Sequence, residues 1–383
     1  MFPDIAYLDW IFGRPERAEF DLGSSDLRRA PAEPNEVVPP ALAGTTTPEE
    51  TVEGLLAEEY GVGPENVLVT AGATHANFLA AAAALSKADA EAADAEGDET
   101  GGTEATDAEA SATHRVLVEK PGYEPLLATP EGLGATVDRF RRPPEEGHPL
   151  DPDRVSAALL EDTVLVTVTN RHNPSGRRVG REDLAAVARA AGDGGASLLV
   201  DEVYAPFGDE PTDGPFGGPS AAGLPNTVVT NSLTKFLGFG GIRLGWLVAD
   251  ADFVDRARSV RNHVPAVAEP SRRLARRALA DADRLGVESR ERIRANRESL
   301  AEFADSRGDL TERVEPGCTY AFLRHESADG DEVVRAAWDE GVLVVPGRFF
   351  DAPDSFRISA CGRPSTVRAG LDRLGGVLDS LAE

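Results

Sequence analysis

Lysine is scarce in this chain, occurring only as Lys87, Lys120 and Lys235. Lys235 lies in Ser232-Leu-Thr-Lys-Phe-Leu-Gly-Phe-Gly-Gly-Ile-Arg243-Leu-Gly245, a glycine-rich loop that follows an apolar run and carries an arginine eight residues on. An amine placed there suits a pocket better than a solvated ion pair. It can condense with a carbonyl carbon to give an imine, while Ser232 and Arg243 can hold a phosphate. The competing reading of this stretch alone is a glycine-rich turn with a surface lysine. It is not a dinucleotide loop, because Arg243 stands where the third glycine of that fingerprint belongs.

Three other stretches carry polar groups at the ends of apolar runs. Leu198–Tyr204 (LLVDEVY) puts Asp201 at the carboxyl end of a strand, where open α/β sheets bind ligands. Asn173-Pro-Ser-Gly176 follows the run Thr163–Thr169; by itself it is an ordinary turn. Gly72-Ala-Thr74 lies between a strand and a helix start, where backbone N–H groups and a hydroxyl can face a phosphate, or where Thr74 simply caps the helix.

The elements that must position these residues alternate. Strands are predicted at Asn66–Thr70, Arg115–Glu119, Thr163–Thr169, Ser197–Asp201, Thr227–Asn231 and Trp246–Ala249. Helices are predicted at Pro48–Tyr60 with Thr47 as N-cap, from His75 to Leu85, and at Arg181–Ala191. Short apolar strands separated by helices indicate an α/β unit with a mainly parallel sheet. Ala251 to about Gly308 reads as long Arg-rich helix. Beyond it come strands at Thr319–Leu323, Val342–Val345 and Ser355–Ile358, with helices near Asp331–Glu340 and Ser365–Ala382. The expected organisation is a large unit over residues 45–260 and a smaller α+β unit made of 1–44 with 261–383. Within the large unit, residues 86–114 are acidic, rich in Ala, Gly and Thr and nearly free of large apolar residues, so they read as a disordered insertion.

Composition bounds the function. A chain of 383 residues with 41% hydrophobic residues can build two cored domains. No apolar stretch approaches the ~18–20 residues of a membrane span. The N-terminal MFPDIAYLDW shows no secretory pattern, and two cysteines, Cys318 and Cys361, in no metal-binding spacing favour the cytoplasm and small buried roles. Acidic residues outnumber basic ones 66 to 39, a formal net charge of −27, which repels nucleic acid and anionic membranes. Scarce lysine and a single Met with this acidity resemble proteins of salt-loving archaea, whose high salt screens the self-repulsion. An acidic mesophilic protein from a GC-rich genome is the other reading. No metal site is expected.

Taken together, the motifs identify a resemblance. Gly72-Ala-Thr, Lys120-Pro-Gly-Tyr123, Asn173-Pro-Ser-Gly, Asp201-Glu-Val-Tyr204, the Ser232–Gly245 stretch and Phe356-Arg357-Ile-Ser359 occur in the order of the aspartate aminotransferase superfamily, fold type I, which uses pyridoxal 5′-phosphate (PLP). The resemblance runs from about residue 40 to the C-terminus. It implies that Lys235 bonds the cofactor and shuttles the substrate Cα proton, and that Asp201 pairs with the pyridine nitrogen. Asn173 and Tyr204 are expected at the ring's 3-oxygen and Tyr123 on the ring face. Ala73, Thr74, Ser232 and Arg243 are expected around the phosphate, with Arg357 and Asn173 at the substrate and Arg357 clamping its α-carboxylate. Lys87, at the insertion, and Lys120, before Pro121, are poor alternatives to Lys235, while His75 and His172 stay undecided between cofactor and structural roles.

The resemblance implies an aminotransferase acting by ping-pong half-reactions on an L-amino acid and a 2-oxo acid, with the active site between the two units of a homodimer. Lyases and decarboxylases of the same fold share every cofactor contact and remain alternatives, as does histidinol phosphate as the substrate, because the Gly238–Gly245 and Phe356–Gly362 segments also resemble histidinol-phosphate aminotransferases. A PLP-binding regulator is the remote rival. Two departures stand out. The stretch Pro40–Thr47 lacks the tyrosine that many relatives send to the partner's phosphate, and Arg171-His172 replaces part of the usual loop before Asn173, which could bias the pocket towards an anionic substrate.

Overall fold

The computed structural model describes residues 2–30, 32–99, 114–264, 267–311 and 313–382. In chain order its first strands are β1 (Phe20–Asp21), β2 (Val67–Thr70), β3 (Arg115–Lys120), β4 (Thr136–Arg141), β5 (Thr163–Thr169), β6 (Ser197–Asp201), β7 (Thr227–Ser232) and β8 (Gly245–Val248). β2 to β8 form one sheet in the order β2-β8-β7-β6-β5-β3-β4. All its pairings are parallel except those of β8, which runs antiparallel to both β2 and β7. The fold is α/β, as the alternation of apolar runs predicts.

Both faces of this sheet are covered, which explains why its strands read as unbroken apolar runs. Successive side chains enter opposite cores. Val166, Val168, Leu198 and Val200 join one core, whereas Leu165 and Leu199 join the other. The edge strand β4 (TVDRFR) is only half-buried apart from Phe140 and Arg141 at its end, and its mixed polarity hides it from a pattern search.

Helix α1 spans Ala6–Ile11, α2 Val52–Tyr60 and α3 Ala73–Glu99. Helix α2 starts later than Pro48 because Thr51, not Thr47, caps it, its hydroxyl accepting from the Gly54 amide at 3.0 Å. Gly61 at φ +64° ends it. Helix α3 passes Leu85 and runs to Glu99, correcting the expectation of disorder for that part of the insertion: Ala and Glu are strong helix formers and extend an already nucleated helix. Residues 100–113 of the insertion lie outside the described residues. The Arg-rich region is three helices, Ala251–Arg261, Glu269–Ala280 and Ala282–Asp305, rather than one. Pro270 sits in the first turn of the second, where its missing N–H costs nothing.

The remaining strands are β9 (Leu310–Thr311), β10 (Tyr320–His325), β11 (Val342–Leu343), β12 (Val345–Pro346) and β13 (Ser355–Ser359). A four-stranded sheet has the order β12-β13-β10-β9, and β1 pairs in parallel with β11. The run Val342–Val345 therefore divides between two sheets. Leu22, Val342, Phe356 and Ile358 share one core, which fastens the N-terminal segment to the C-terminal elements. Among the described residues no helix is long and apolar enough to cross a membrane.

Candidate active site

The carboxyl ends of β5, β6 and β7 and the start of α3 open on a cleft. Ala73, Thr74, Tyr123, Asn173, Asp201, Tyr204, Ser232, Lys235, Arg243 and Arg357 all line it. The ten residues singled out in the sequence are thus brought to one place.

Asp201 ends β6 and is buried. Its Oδ2 accepts from Asn77 Nδ2 at 2.9 Å and its Oδ1 from the Val203 amide at 3.1 Å. Burial raises its pKa above the ordinary carboxyl value, opposed by those two hydrogen bonds and by Lys235. Among the described residues no ion pair satisfies it. Asn77 is itself held by the Thr230 hydroxyl, which donates to its Oδ1.

Lys235 follows β7, and its Nζ donates to Ser25 Oγ at 3.3 Å. Burial disfavours its charge, but Tyr204 and Asp26 outweigh that penalty and raise its pKa above the usual lysine value. Tyr204 OH lies 2.5 Å from the same Ser25 Oγ, and burial raises its phenol pKa. Tyr123 meets Tyr7 edge-on, ring centroids 5.8 Å apart.

Arg357, on β13, is buried. Its Nη1 donates to Asn173 Oδ1 at 2.7 Å and its Nη2 to Gly23 O at 3.2 Å and Tyr7 OH at 3.4 Å. Its Nε finds no partner among the described residues. Asn173 is held in turn through its amide, which donates to Thr169 Oγ1 at 3.2 Å. Thr169 is braced by Glu119, whose Oε1 accepts from the Thr169 amide at 2.9 Å and whose Oε2 pairs with Arg142 Nη1 at 2.7 Å, both side chains fully buried. Burial raises Glu119 and lowers Arg142, and each opposes the other's shift.

At the other end, Gly72 takes φ +104°, and a Cβ there would come 2.9 Å from Arg243 Nη2. A Cβ on Gly245 would meet Gly72 C at 2.5 Å and Ala73 N at 2.8 Å, so glycine is required for β8 to close on the turn. Arg243, at φ +52°, reaches back so that its Nη2 donates to Ala71 O at 3.1 Å. The first helical hydrogen bond of α3 is Ala76 N to Gly72 O, which leaves the earlier N–H groups of its first turn without a helical partner.

Six further lining residues carry no role in the sequence reading: Tyr7, Ser25, Asn77, Thr169, Val203 and Thr234. Asn77 lies one helical turn after Ala73, a spacing that would have put it on the same face. Tyr7 and Ser25 carry no local signal. Arg171 and His172 do not join the cleft and so do not charge it. Arg171 donates to Gly176 O, Pro316 O and Phe207 O, and His172 bonds Ser175 Oγ at 2.7 Å and Pro121 O at 2.9 Å. His75 Nδ1 accepts from the Ala71 amide at 3.1 Å, while its buried Nε2 finds no partner among the described residues. Cys318 and Cys361 are buried free thiols.

The family described as aminotransferase class I and II matches residues 100–374. The chain belongs to this family. Among curated proteins it is similar to capreomycidine synthase of Streptomyces vinaceus, 29% identical and covering 94% of this chain and 90% of that one. It is also similar to the aspartate/prephenate aminotransferase of Thermus thermophilus, 28% identical over 67% of this chain and 70% of the other. In fold it matches a PLP-dependent aminotransferase of Streptococcus suis, with TM-score 0.81, 22% identity and coverage of 100% and 99% of the two chains.

Class I and II aminotransferase enzymes depend on PLP, and the residues present fit that cofactor. A buried carboxylate without an ion pair suits a protonated pyridine nitrogen. Helix N–H groups beside Ser232 and Arg243 suit a phosphate. Arg357, buried with an unpartnered Nε, suits a carboxylate.

Proposed function

We propose that the protein is an aminotransferase that takes an amino group from an L-amino acid and gives it to a 2-oxo acid in alternate half-reactions. The observation that carries this reading is the presence of Lys235 and Arg357 in one cleft with Asp201. PLP, when bound, supplies the electrophilic carbon and an electron sink for charge developing at the substrate Cα.

The chain's own residues do the rest. Ala73, Thr74, Ser232 and Arg243 hold the phosphate, Asp201 holds a proton on the ring nitrogen, and Asn173 and Tyr204 donate to the ring oxygen. Tyr123 packs on the ring. Arg357 grips the α-carboxylate with its planar fork and so orients the Cα–H bond. Lys235 Nζ accepts that proton and delivers it again. The carboxylate clamp belongs to the smaller unit, residues 1–44 with 261–383, and the cofactor groups to residues 45–260, so the substrate would lie between the two. We infer a homodimer that works in the cytoplasm at high salt.

A second reading keeps the cofactor and changes the outcome. Similarity to capreomycidine synthase runs over nearly the whole chain, and a synthase or lyase would use the same groups without exporting the amine. Histidinol phosphate remains a candidate donor on the resemblance of two segments.

A spectral screen separates these readings. The enzyme is purified in high salt with PLP and mixed with single amino acids or histidinol phosphate while the visible cofactor band and the released product are followed. Conversion to the pyridoxamine form with a matching 2-oxo acid is expected. Release of ammonia or carbon dioxide, or a rearranged amino acid, with the band restored, would overturn transamination.

A further inference from the structure

Ser25 lies where no motif points. It sits on a turn clipped at both ends: Asp21 Oδ1 accepts from the Gly23 amide at 3.1 Å and the Ser24 amide at 2.9 Å, and the Leu27 amide donates to Lys235 O at 3.0 Å. The side chain is 4% exposed. Its hydroxyl touches two residues of the site, Lys235 Nζ at 3.3 Å and Tyr204 OH at 2.5 Å.

Donor arithmetic fixes the direction of this line. An ammonium group only donates, while a serine hydroxyl has one proton and two acceptor positions. With Lys235 charged, Ser25 accepts from Nζ and gives its own proton to the Tyr204 oxygen. Tyr204 then directs its O–H away from Ser25, towards the cleft. With Lys235 neutral, Nζ becomes an acceptor, Ser25 turns its proton to the amine, and Tyr204 is drawn back to donate to Ser25. No proton leaves either residue in this reorientation; only the hydrogen bonds reverse.

We propose that Ser25 is a positioning residue that couples the protonation state of Lys235 to the direction in which Tyr204 donates. It rests on the transaminase reading only in placing a cofactor oxygen before Tyr204. Lys235 changes its protonation twice in each half-reaction, so a serine in this position lets Tyr204 strengthen its hold on the ring oxygen when the lysine is charged and relax it when the lysine is neutral.

Other charged and titratable groups face this line: Asp26 from the same turn, Tyr7 from α1, Tyr123 after β3, Asp201 from β6, Tyr320 from β10, Arg357 from β13 and Cys361 just after β13. None is altered in the test.

The test uses the PLP-loaded protein without substrate, in which Nζ is joined to the cofactor and the Ser25–Tyr204 half of the line is read alone, following the visible cofactor band against pH for the wild type, Ser25→Ala, Ser25→Thr, Tyr204→Phe and the double variant. Losing the Ser25 proton weakens Tyr204 as a donor and leaves more charge on the cofactor oxygen. The cofactor then holds its proton more tightly, and the midpoint rises. Ser25→Ala is expected to raise it by about half a unit to one unit, with Ser25→Thr near wild type. Tyr204→Phe should raise it further, and the double variant should match Tyr204→Phe alone. In turnover, Ser25→Ala should lower kcat about five- to tenfold with KM within about twofold. An unchanged or lowered midpoint, or shifts that add in the double variant, would overturn the proposal. Because the titration needs no substrate, its failure leaves the transamination screen standing, and failure of the screen leaves the titration interpretable.

Discussion

At one end of the cleft, Asp201, Ser232 and Lys235 leave adjacent parallel strands, and Arg243 folds back from the loop before β8 onto the start of α3. At the other end, Arg357 on β13 meets Tyr7 across 350 residues of chain and Gly23 across 334. The first end is rooted in a sheet buried on both faces; the second is assembled from an N-terminal segment laid against C-terminal strands. Perturbing the first should change how the cofactor is held and leave the substrate clamp in place, and perturbing Arg357 in the second should do the reverse, whereas Ser25 on the same N-terminal segment reaches the first end through Lys235 and Tyr204. The difference teaches where outcome can vary: the proposed cofactor contacts sit on a sheet buried on both faces, and the proposed substrate clamp sits where the two ends of the chain pack together.

The largest expected effect would break the separation itself, because one buried pair supports both ends. Glu119 braces Thr169, which braces Asn173, which holds Arg357. Glu119→Ala leaves Arg142 buried without its partner, and the expected loss is about 3–5 kcal/mol of stability in denaturant titrations. A loss under 1 kcal/mol would show that the pair carries little.

Next comes the substrate end alone. Arg357→Ala should lower kcat/KM by about 30- to 1,000-fold, corresponding to about 2–4 kcal/mol of charge-assisted hydrogen bonding, while the visible cofactor band stays as in the wild type. A bleached or shifted band would mean that the two ends are not independent.

A smaller effect sharpens the cofactor end. Asn77→Ala removes one hydrogen bond from the buried Asp201 carboxylate, with about 1–2 kcal/mol expected, read as a five- to thirtyfold fall in kcat with little change in KM. A raised KM with unchanged kcat would place Asn77 at the substrate instead.

The smallest effect concerns the packing behind the Asn173 loop. His148 stacks 5.2 Å from His172. Burial, with Arg142 beside it, lowers the His148 pKa from 6.5 to about 4. The unfolded chain therefore takes up this proton first, and the stability from neutral His148 is lost as pH falls from about 6.5 towards 4. Glu202, raised by burial to about 8, works in the opposite direction, since its neutral form is favoured in the fold as pH falls below that value. The informative quantity is thus the difference between wild type and His148→Gln. Between pH 7.5 and 5.5 the wild type should lose roughly 1 kcal/mol more than the variant. Equal losses would show that His148 titrates as if exposed.

Legibility followed the same division. Asp201, Asn173 and Lys235 each stand at the end of a contiguous apolar run, and the strand-end rule needs only local sequence. Asn77, Ser25 and Tyr7 acquire meaning only when distant segments meet. Ser25 reads as one small polar residue in Gly23-Ser-Ser-Asp26 until the turn is clipped to the Lys235 loop. Strand β4 was hidden by its half-polar edge position, and the reach of α3 by a composition that suits both solvated coil and helix. Arg171 shows the converse error: a cation beside a motif invites an anion-binding role, but its Nη1 and Nη2 are spent on backbone carbonyls.

The central claim is that Lys235 is the lysine that carries the cofactor, and with only Lys87 and Lys120 as alternatives it can be tested directly. The loaded enzyme is reduced with borohydride, digested, and its peptides are weighed by mass spectrometry. The account predicts the reduced cofactor's mass on the peptide containing Lys235 and its loss from the Lys235→Ala protein. The same mass on a peptide containing Lys87 or Lys120, or retained in that variant, would contradict it.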